Sequence, residues 1–290
     1  MTRRFSGVLC VVLAVGLWGR DASAQSARSV FVTTPDGAQI HCIDAGRGPA
    51  PAVLFVPGWT MPAEIWEPQL TFLQTMYRVV AMDPRGQGRS SAASDGLYPA
   101  ARARDIKAVI DDLQLAPLVL VGWSMAVNEV AAYVDQFGTG ALAGVVLVDG
   151  GAGQDFDLTI MPRTLRGYVA WLARDRREAA DEFVRSMFRR PQSDEYLARL
   201  VDASLRTPAN SAFTLGAAST LTDNRAALAK IDRPTLIVAA AGPLIEAFRD
   251  MQRRIRGSRL VVVQDAGHAL FVDEADQFNR LLEDFLKTVQ

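Results

Sequence analysis

Histidine is scarce in this chain: His41 and His268 are the only two. No cluster of His, Cys and carboxylate residues stands at the spacing of a zinc site, so a dedicated metal centre is not expected. Cysteine is as scarce, with Cys10 and Cys42 alone. Neither sign of charge dominates, since 31 basic residues face 32 acidic ones. That balance gives no electrostatic footprint for nucleic acid or for an acidic surface. There is no glycine-rich phosphate loop, no internal repeat and no low-complexity tract. An apolar fraction of 49% over 290 residues is enough for one large core.

The first residues have the layout of an export signal. Arg3 and Arg4 supply a positive end, Val8 to Trp18 an apolar stretch, and Ala22-Ser-Ala24 a small-residue cleavage site. The apolar stretch is 11 residues long, well short of the roughly 20 needed to cross a bilayer as a helix. The leader is therefore expected to be residues 1–24, with the mature chain starting near Gln25 and exported, either periplasmic or secreted. No stable membrane insertion is expected after cleavage. Only Cys42 then remains, which rules out an internal disulfide. In the strand-like Gln39-Ile-His-Cys-Ile-Asp44 it reads as a small buried apolar residue.

Apolar patterning divides the remainder. Val30 to Thr33 and Gln39 to Asp44 predict two antiparallel strands around the turn signal Pro35-Asp-Gly37. Ala52 to Val56, Tyr77 to Met82, Leu118 to Val121, Gly144 to Val148, Pro234 to Val238 and Arg259 to Val263 are continuous apolar runs, as expected of strands buried on both faces. Helical stretches separate them: Glu67 to Leu73, then Ile106, Val109, Ile110 and Leu113, then Val127, Val130, Ala131 and Val134. The last helix shows Phe278, Leu281, Leu282, Phe285, Leu286 and Val289 on one face. Strands alternating with helices predict an α/β fold with a mostly parallel, doubly wound sheet. Residues 156–229 break the rhythm. They hold no strand-like run and many arginines: Arg163, Arg166, Arg174, Arg176, Arg177, Arg185, Arg189 and Arg190. A helical cap over the strand ends is expected there, its arginines forming a solvated outer face. The core is then 25–155 and 230–290.

In such a sheet the ligand site lies beyond the carboxyl ends of the strands. One of those ends carries Gly122-Trp-Ser-Met-Ala126 between a buried strand and a helix, the context of a nucleophile elbow. Ala126 replaces the usual final glycine and is the smallest alternative. A serine hydroxyl needs a neighbouring base to become a nucleophile, and histidine is the usual one. His41 lies in the entry hairpin, where a partly exposed, non-catalytic place is expected. His268 follows a strand and a glycine, and is the remaining candidate to serve Ser124.

Pro57-Gly-Trp59, Asp83-Pro-Arg-Gly-Gln-Gly-Arg-Ser90, Gly122-Trp-Ser-Met-Ala126 and Ala266-Gly-His268 occur in this order. Together they resemble the α/β-hydrolase superfamily across nearly all of the mature chain. Trp66-Glu-Pro-Gln69 and Asn128-Glu-Val130 with Tyr133 are similar to its esterase and cofactor-free haloperoxidase/perhydrolase branch. The resemblance implies Ser124 as nucleophile, His268 as base, and an oxyanion hole formed by the backbone N–H groups of Trp59 and Met125. It implies no cofactor. Asp83 and Arg85 would hold the loop after their strand, and Trp59, Trp123 and Met125 would border the pocket.

The acid is where the sequence departs from the pattern. The family places an aspartate in the loop that here reads Ala239-Ala-Ala-Gly-Pro-Leu-Ile-Glu246. Without a carboxylate the imidazole loses its orientation and the partner of its positive charge. Asp149, at the end of the preceding strand in the sheet, could replace it. Glu246 is the other candidate, one turn into the next helix, while Asp265 is too close to His268 in sequence to reach its ring. The expected function is an exported serine hydrolase acting on a small or medium hydrophobic ester, whether carboxylester, aryl ester or lactone. The alternative is a ligand-binding or catalytically impaired protein on the same scaffold, which the missing aspartate would explain.

Overall fold

A computed structural model describes residues 27–153, 166–167, 169–170 and 174–290. The leader with Cys10, the start of the cap and Arg163 lie outside the described residues. An eight-stranded sheet is built from β1 (Arg28–Thr33), β2 (Gln39–Ala45), β3 (Ala52–Val56), β4 (Val79–Met82), β5 (Leu118–Trp123), β6 (Leu142–Val148), β7 (Thr235–Ala240) and β8 (Arg259–Val263). Its spatial order is β1-β2-β4-β3-β5-β6-β7-β8. β2 pairs antiparallel with both β1 and β4, and every later pairing is parallel. The expected entry hairpin and parallel sheet are both present.

Side chains alternate across the central strands, as a pleated backbone requires. Ala52, Leu54 and Val56 of β3 with Leu118 and Leu120 of β5 enter one core. Val53 and Phe55 with Val119, Val121 and Trp123 enter a second core on the opposite face. The first is covered by α2 (Pro99–Asp112) and α3 (Ala126–Phe137), the second by α1 (Glu67–Leu73) and the C-terminal α10 (Ala275–Thr288). Burial on both faces is what makes these strands read as unbroken apolar runs. β4 begins at Val79, two residues later than the run from Tyr77 suggests, because the N–H groups of Met76 and Tyr77 close the end of α1 onto Leu73 O.

Between β6 and β7 the described residues form helices and no strand: α4 (Arg176–Ser186), α5 (Asp194–Arg206), α6 (Ala209–Leu221) and the short α7 (Arg225–Leu228). They touch the strand ends. Trp59 Nε1 donates to Ala212 O at 2.7 Å, and Ser204 Oγ donates to Thr60 Oγ1 at 2.9 Å. Arg174, Arg177, Arg185, Arg189 and Arg190 are exposed and paired with surface carboxylates. Arg176 is half-buried, with Nη2 donating to Thr207 O. No described helix is long and apolar enough to cross a membrane.

His41 departs from expectation. It is fully enclosed rather than partly exposed, because β2 is flanked by β1 and β4 and the ring faces inward. Nδ1 lies 2.8 Å from Asp83 Oδ2, and Nε2 lies 2.9 Å from Ser29 Oγ.

Candidate active site

The chain turns from β3 toward β4 on one side of the sheet and then reaches β5 on the other. The carboxyl ends of β3 and β5 therefore lie side by side at a switch point, where doubly wound sheets form their crevice. The β3 end supplies Gly58 and Trp59, and the β5 end supplies Ser124.

Ser124 has φ +59, a left-handed backbone that costs an ordinary residue of order 1 kcal/mol or more. Packing holds it there. Its N–H donates to Val148 O at 2.9 Å, which keeps the turn registered to β6. A Cβ on Gly122 would stand 2.7 Å from Val130 Cγ2 and 3.0 Å from Ala126 O. The helix thus leaves the strand so tightly that residue 122 must lack a side chain, whereas the methyl of Ala126 is accommodated with zero exposure.

His268 sits in the loop between β8 and the short helix α9 (Leu270–Asp273). Its Nε2 lies 2.8 Å from Ser124 Oγ, and its Nδ1 lies 2.7 Å from Asp149 Oδ2. An ionised carboxylate oxygen only accepts, so Nδ1 carries the proton and Nε2 is left to accept from the serine hydroxyl. Asp149 follows β6 directly, at φ +41. Its other oxygen, Oδ1, accepts the Ala240 N–H at 2.9 Å. The carboxylate thus bridges the end of β7 and the histidine loop from the neighbouring strand. Glu246 stands elsewhere: it is exposed in the first turn of α8 (Ile245–Arg254) and accepts from Arg249 at 2.7 Å. Asp265 is exposed and faces Arg189.

The loop that carries His268 is fastened at several points. Trp123 Nε1 donates to His268 O at 2.9 Å, and Asp273 Oδ2 accepts the Gly267 N–H at 2.7 Å. Asp273 also accepts the Arg189 N–H of the cap at 2.8 Å. Phe271, three residues on, stacks on Trp66 at 3.9 Å between centroids.

Trp59, Ser124, Met125 and His268 share the lining of one cavity of about 490 Å³ with Asn128, Gly150, Gly151, Gly153, Phe183, Ser219, Thr220 and Leu244. Met125 is the N-cap of α3, so the partial positive charge of that helix terminus is directed at the cavity. Larger cavities elsewhere, such as one of about 580 Å³ between α1 and α5, contain neither histidine. We take the smaller one as the candidate site because Ser124 and His268 open on it, with Asp149 behind the His268 ring. Phe183, Ser219 and Thr220 come from the cap, whose side-chain directions no periodicity in the sequence could supply. Asp83, fully buried, accepts the N–H groups of Ala63 at 2.6 Å and Arg89 at 2.7 Å in addition to the His41 ring. Arg85 bridges Asp36 and Asp105. Both residues hold the loop after β4, and neither lines the cavity. His41 and His268 form hydrogen-bond chains of similar length. Access separates them: His268 opens on the cavity, while His41 is sealed between strands. Among the described residues no group of His, Cys, Asp or Glu could hold a metal ion.

The chain is similar to a bifunctional esterase/perhydrolase of Acinetobacter calcoaceticus, with 40% identity over 119 residues. That match covers 41% of this chain and spans 43% of the relative, less than half its length. It is also similar to a 3-oxoadipate enol-lactonase of Acinetobacter baylyi, 26% identical over 277 residues, covering 90% of this chain and 98% of that protein. In structure it superposes on an esterase of Exiguobacterium antarcticum with a TM-score of 0.80 at 24% identity, covering 90% of this chain and all of the other. Residues 51–275 match the model of the alpha/beta hydrolase fold family. With an elbow after β5, a histidine loop after β8 and that sheet between them, the chain belongs to the α/β-hydrolase fold family.

Proposed function

We propose that the protein is an exported serine hydrolase that cleaves a small or medium hydrophobic carboxylic ester through an acyl-enzyme on Ser124. The observation that carries this reading is the unbroken chain Ser124 Oγ, His268 Nε2, His268 Nδ1, Asp149 Oδ2, with spacings of 2.8 and 2.7 Å, opening on a cavity. His268 takes the hydroxyl proton as Ser124 attacks the ester carbonyl. The resulting imidazolium is held by Asp149, and the tetrahedral oxyanion is met by the N–H groups of Trp59 and Met125. Such donors are each worth roughly 3 kcal/mol of barrier. His268 then gives its proton to the leaving alcohol. Water repeats the cycle on the acyl-enzyme, releasing the carboxylic acid and restoring Ser124.

The apolar rings of Trp59 and Phe183 at the cavity, 5.0 Å apart, and the esterase and lactonase descriptions of the relatives support an ester or lactone as substrate. No cofactor enters any step. A non-catalytic binding role would rest on the missing loop aspartate, Ala126 and Pro57; the 2.7 Å contact of Asp149 Oδ2 with His268 Nδ1 supports the catalytic reading instead.

A fluorophosphonate probe tests the reading: labelling is expected at Ser124 of the folded protein and should be absent in Ser124→Ala. Folded wild-type protein that resists the probe would refute it. Hydrolysis of p-nitrophenyl esters of graded acyl length then measures the preferred substrate size. Export is checked by N-terminal sequencing of the protein recovered outside the cytoplasm, with Gln25 expected first.

A further inference from the structure

A fully buried ion pair lies beside the site without touching it. Arg102 on α2 and Glu129 on α3 have side chains only 1% and 2% exposed, and Arg102 Nε lies 3.0 Å from Glu129 Oε1. The pair is poorly satisfied, since Arg102 Nε and Nη2 and Glu129 Oε2 all lack a well-aligned hydrogen-bond partner. Desolvating two charges for so few hydrogen bonds is a poor source of stability, and well-packed apolar residues commonly do as well or better. The pair therefore calls for another explanation.

Arg102 has one well-formed contact, Nη1 donating to Gln87 Oε1 at 3.0 Å. Gln87 is itself buried, in the loop after β4. Its Nε2 donates to two carbonyls of the loop after β3, Gly58 O at 2.9 Å and Met61 O at 2.9 Å. Gly58 O also accepts the Met61 N–H at 3.2 Å, and Thr60 holds φ +57 within this tight turn. The turn abuts the nucleophile so closely that a Cβ on Gly58 would lie 2.8 Å from Ser124 Cβ.

Peptide geometry links the clamp to the chemistry. The carbonyl of Gly58 and the N–H of Trp59 belong to one planar trans peptide unit and point in opposite directions. Fixing the oxygen therefore fixes the direction of the N–H. We propose that Gln87, held by the buried Arg102–Glu129 pair, is a positioning residue that aims the Trp59 N–H at the oxyanion by clamping the Gly58 carbonyl. Glu129 sits on the helix that starts at the elbow, so the relay also ties the β3 loop to the element carrying Ser124 and Met125. This rests on the esterase reading above, in which Trp59 is an oxyanion donor. Donors that are misaimed cost most in the transition state, because the ground-state carbonyl makes less demand on them.

The test compares Gln87→Glu and Gln87→Leu with wild type on p-nitrophenyl acetate at pH 8, with melting temperatures recorded alongside. Glu keeps the size and the contact with Arg102 but cannot donate to either carbonyl when ionised. Both variants should lose about 10- to 100-fold in kcat, less than the 10² to 10³ lost when an oxyanion donor is removed outright. KM should stay within about two-fold, and the affinity for a trifluoromethyl ketone that forms an oxyanion on Ser124 should fall in parallel with kcat. A second variant separates positioning from folding: the double change Arg102→Met with Glu129→Leu should melt no lower than wild type and still lose kcat. Gln87 variants with wild-type kcat and inhibitor affinity would overturn the relay, as would a stable, fully active double variant. A wild type that turns over no ester would overturn the hydrolase reading, and the relay with it. Wild-type turnover alongside unaffected Gln87 variants would overturn the relay alone.

Discussion

Asp149 meets His268 Nδ1 where the proposed triad needs a carboxylate. It needs a left-handed backbone, φ +41, which aspartate tolerates better than most side chains. It is also held by the Ala240 N–H, from the strand end where the family's usual acid would begin its approach. Asp149→Asn keeps the shape but reverses the demand at Nδ1, since an amide N–H can face the ring and favour the wrong tautomer. The expected loss in acylation rate is on the order of 10³ to 10⁴, measured by fluorophosphonate labelling or ester turnover. Glu246→Gln should change it by less than two-fold, since that carboxylate is engaged on the surface with Arg249. A large loss in the Glu246 variant with little in the Asp149 variant would reverse the assignment.

At the level of elements, the histidine loop is the part most dependent on its neighbours. It is pinned by Trp123 from β5, by Asp273 from α9, and by the cap, where Ala269 N–H donates to Met187 O at 2.9 Å. Gly267 has no room to change: an added Cβ would meet Met187 O at 2.6 Å and Arg189 N at 2.8 Å, both backbone atoms that cannot swing away. Gly267→Ala should therefore push the loop off the cap, lowering kcat by about ten-fold or more through the displaced ring. The melting temperature should fall as well, and a variant with unchanged kcat and melting point would show that the cap yields instead. The sequence made the strand-loop-helix rhythm around this loop legible, because runs such as Leu118 to Val121 are buried on both faces and leave an apolar signature. Ser124 and His268 were legible for the same reason, each sitting at the end of such a run with small neighbours. Asp149 could be reached only as one of two candidates, since the choice between them depends on the spacing of adjacent strand ends. The enclosure of His41, the cavity residues of the cap and the Gln87–Arg102–Glu129 relay left no trace, because all three depend on which side chains meet across distant segments.

For the molecule as a whole, two sets of carboxylates oppose each other in setting how stability follows pH. Burial alone would raise the carboxyl of Asp44, but Arg78 and Arg28 outweigh it and hold it below its ordinary value of 3.8. Asp36 is held low by its hydrogen bond to Arg85, an effect that water screens because Asp36 is exposed. A depressed carboxylate contributes stability that is present above its unfolded value and lost as pH falls through its folded value. Glu129 has the opposite sign. Burial pushes it from 4.5 up to about 7, although the Arg102 guanidinium counteracts part of the rise. Asp105 is also raised by burial, against the pull of Arg85. For these two the folded state binds protons more tightly than the unfolded chain, so their contribution is greatest at low pH and is lost as pH rises through their folded values, for Glu129 from about 4.5 to 7. Stability should thus climb as Asp44 and Asp36 ionise and then decline gently toward neutrality. Glu129→Gln removes one titrating group of the declining limb while keeping its shape. Urea unfolding at fixed temperature from pH 4.5 to 7 should show a shallower decline in that variant than in wild type. An identical slope in both proteins would mean that Glu129 stays ionised across the whole range, its pairing with Arg102 stronger than the burial that opposes it.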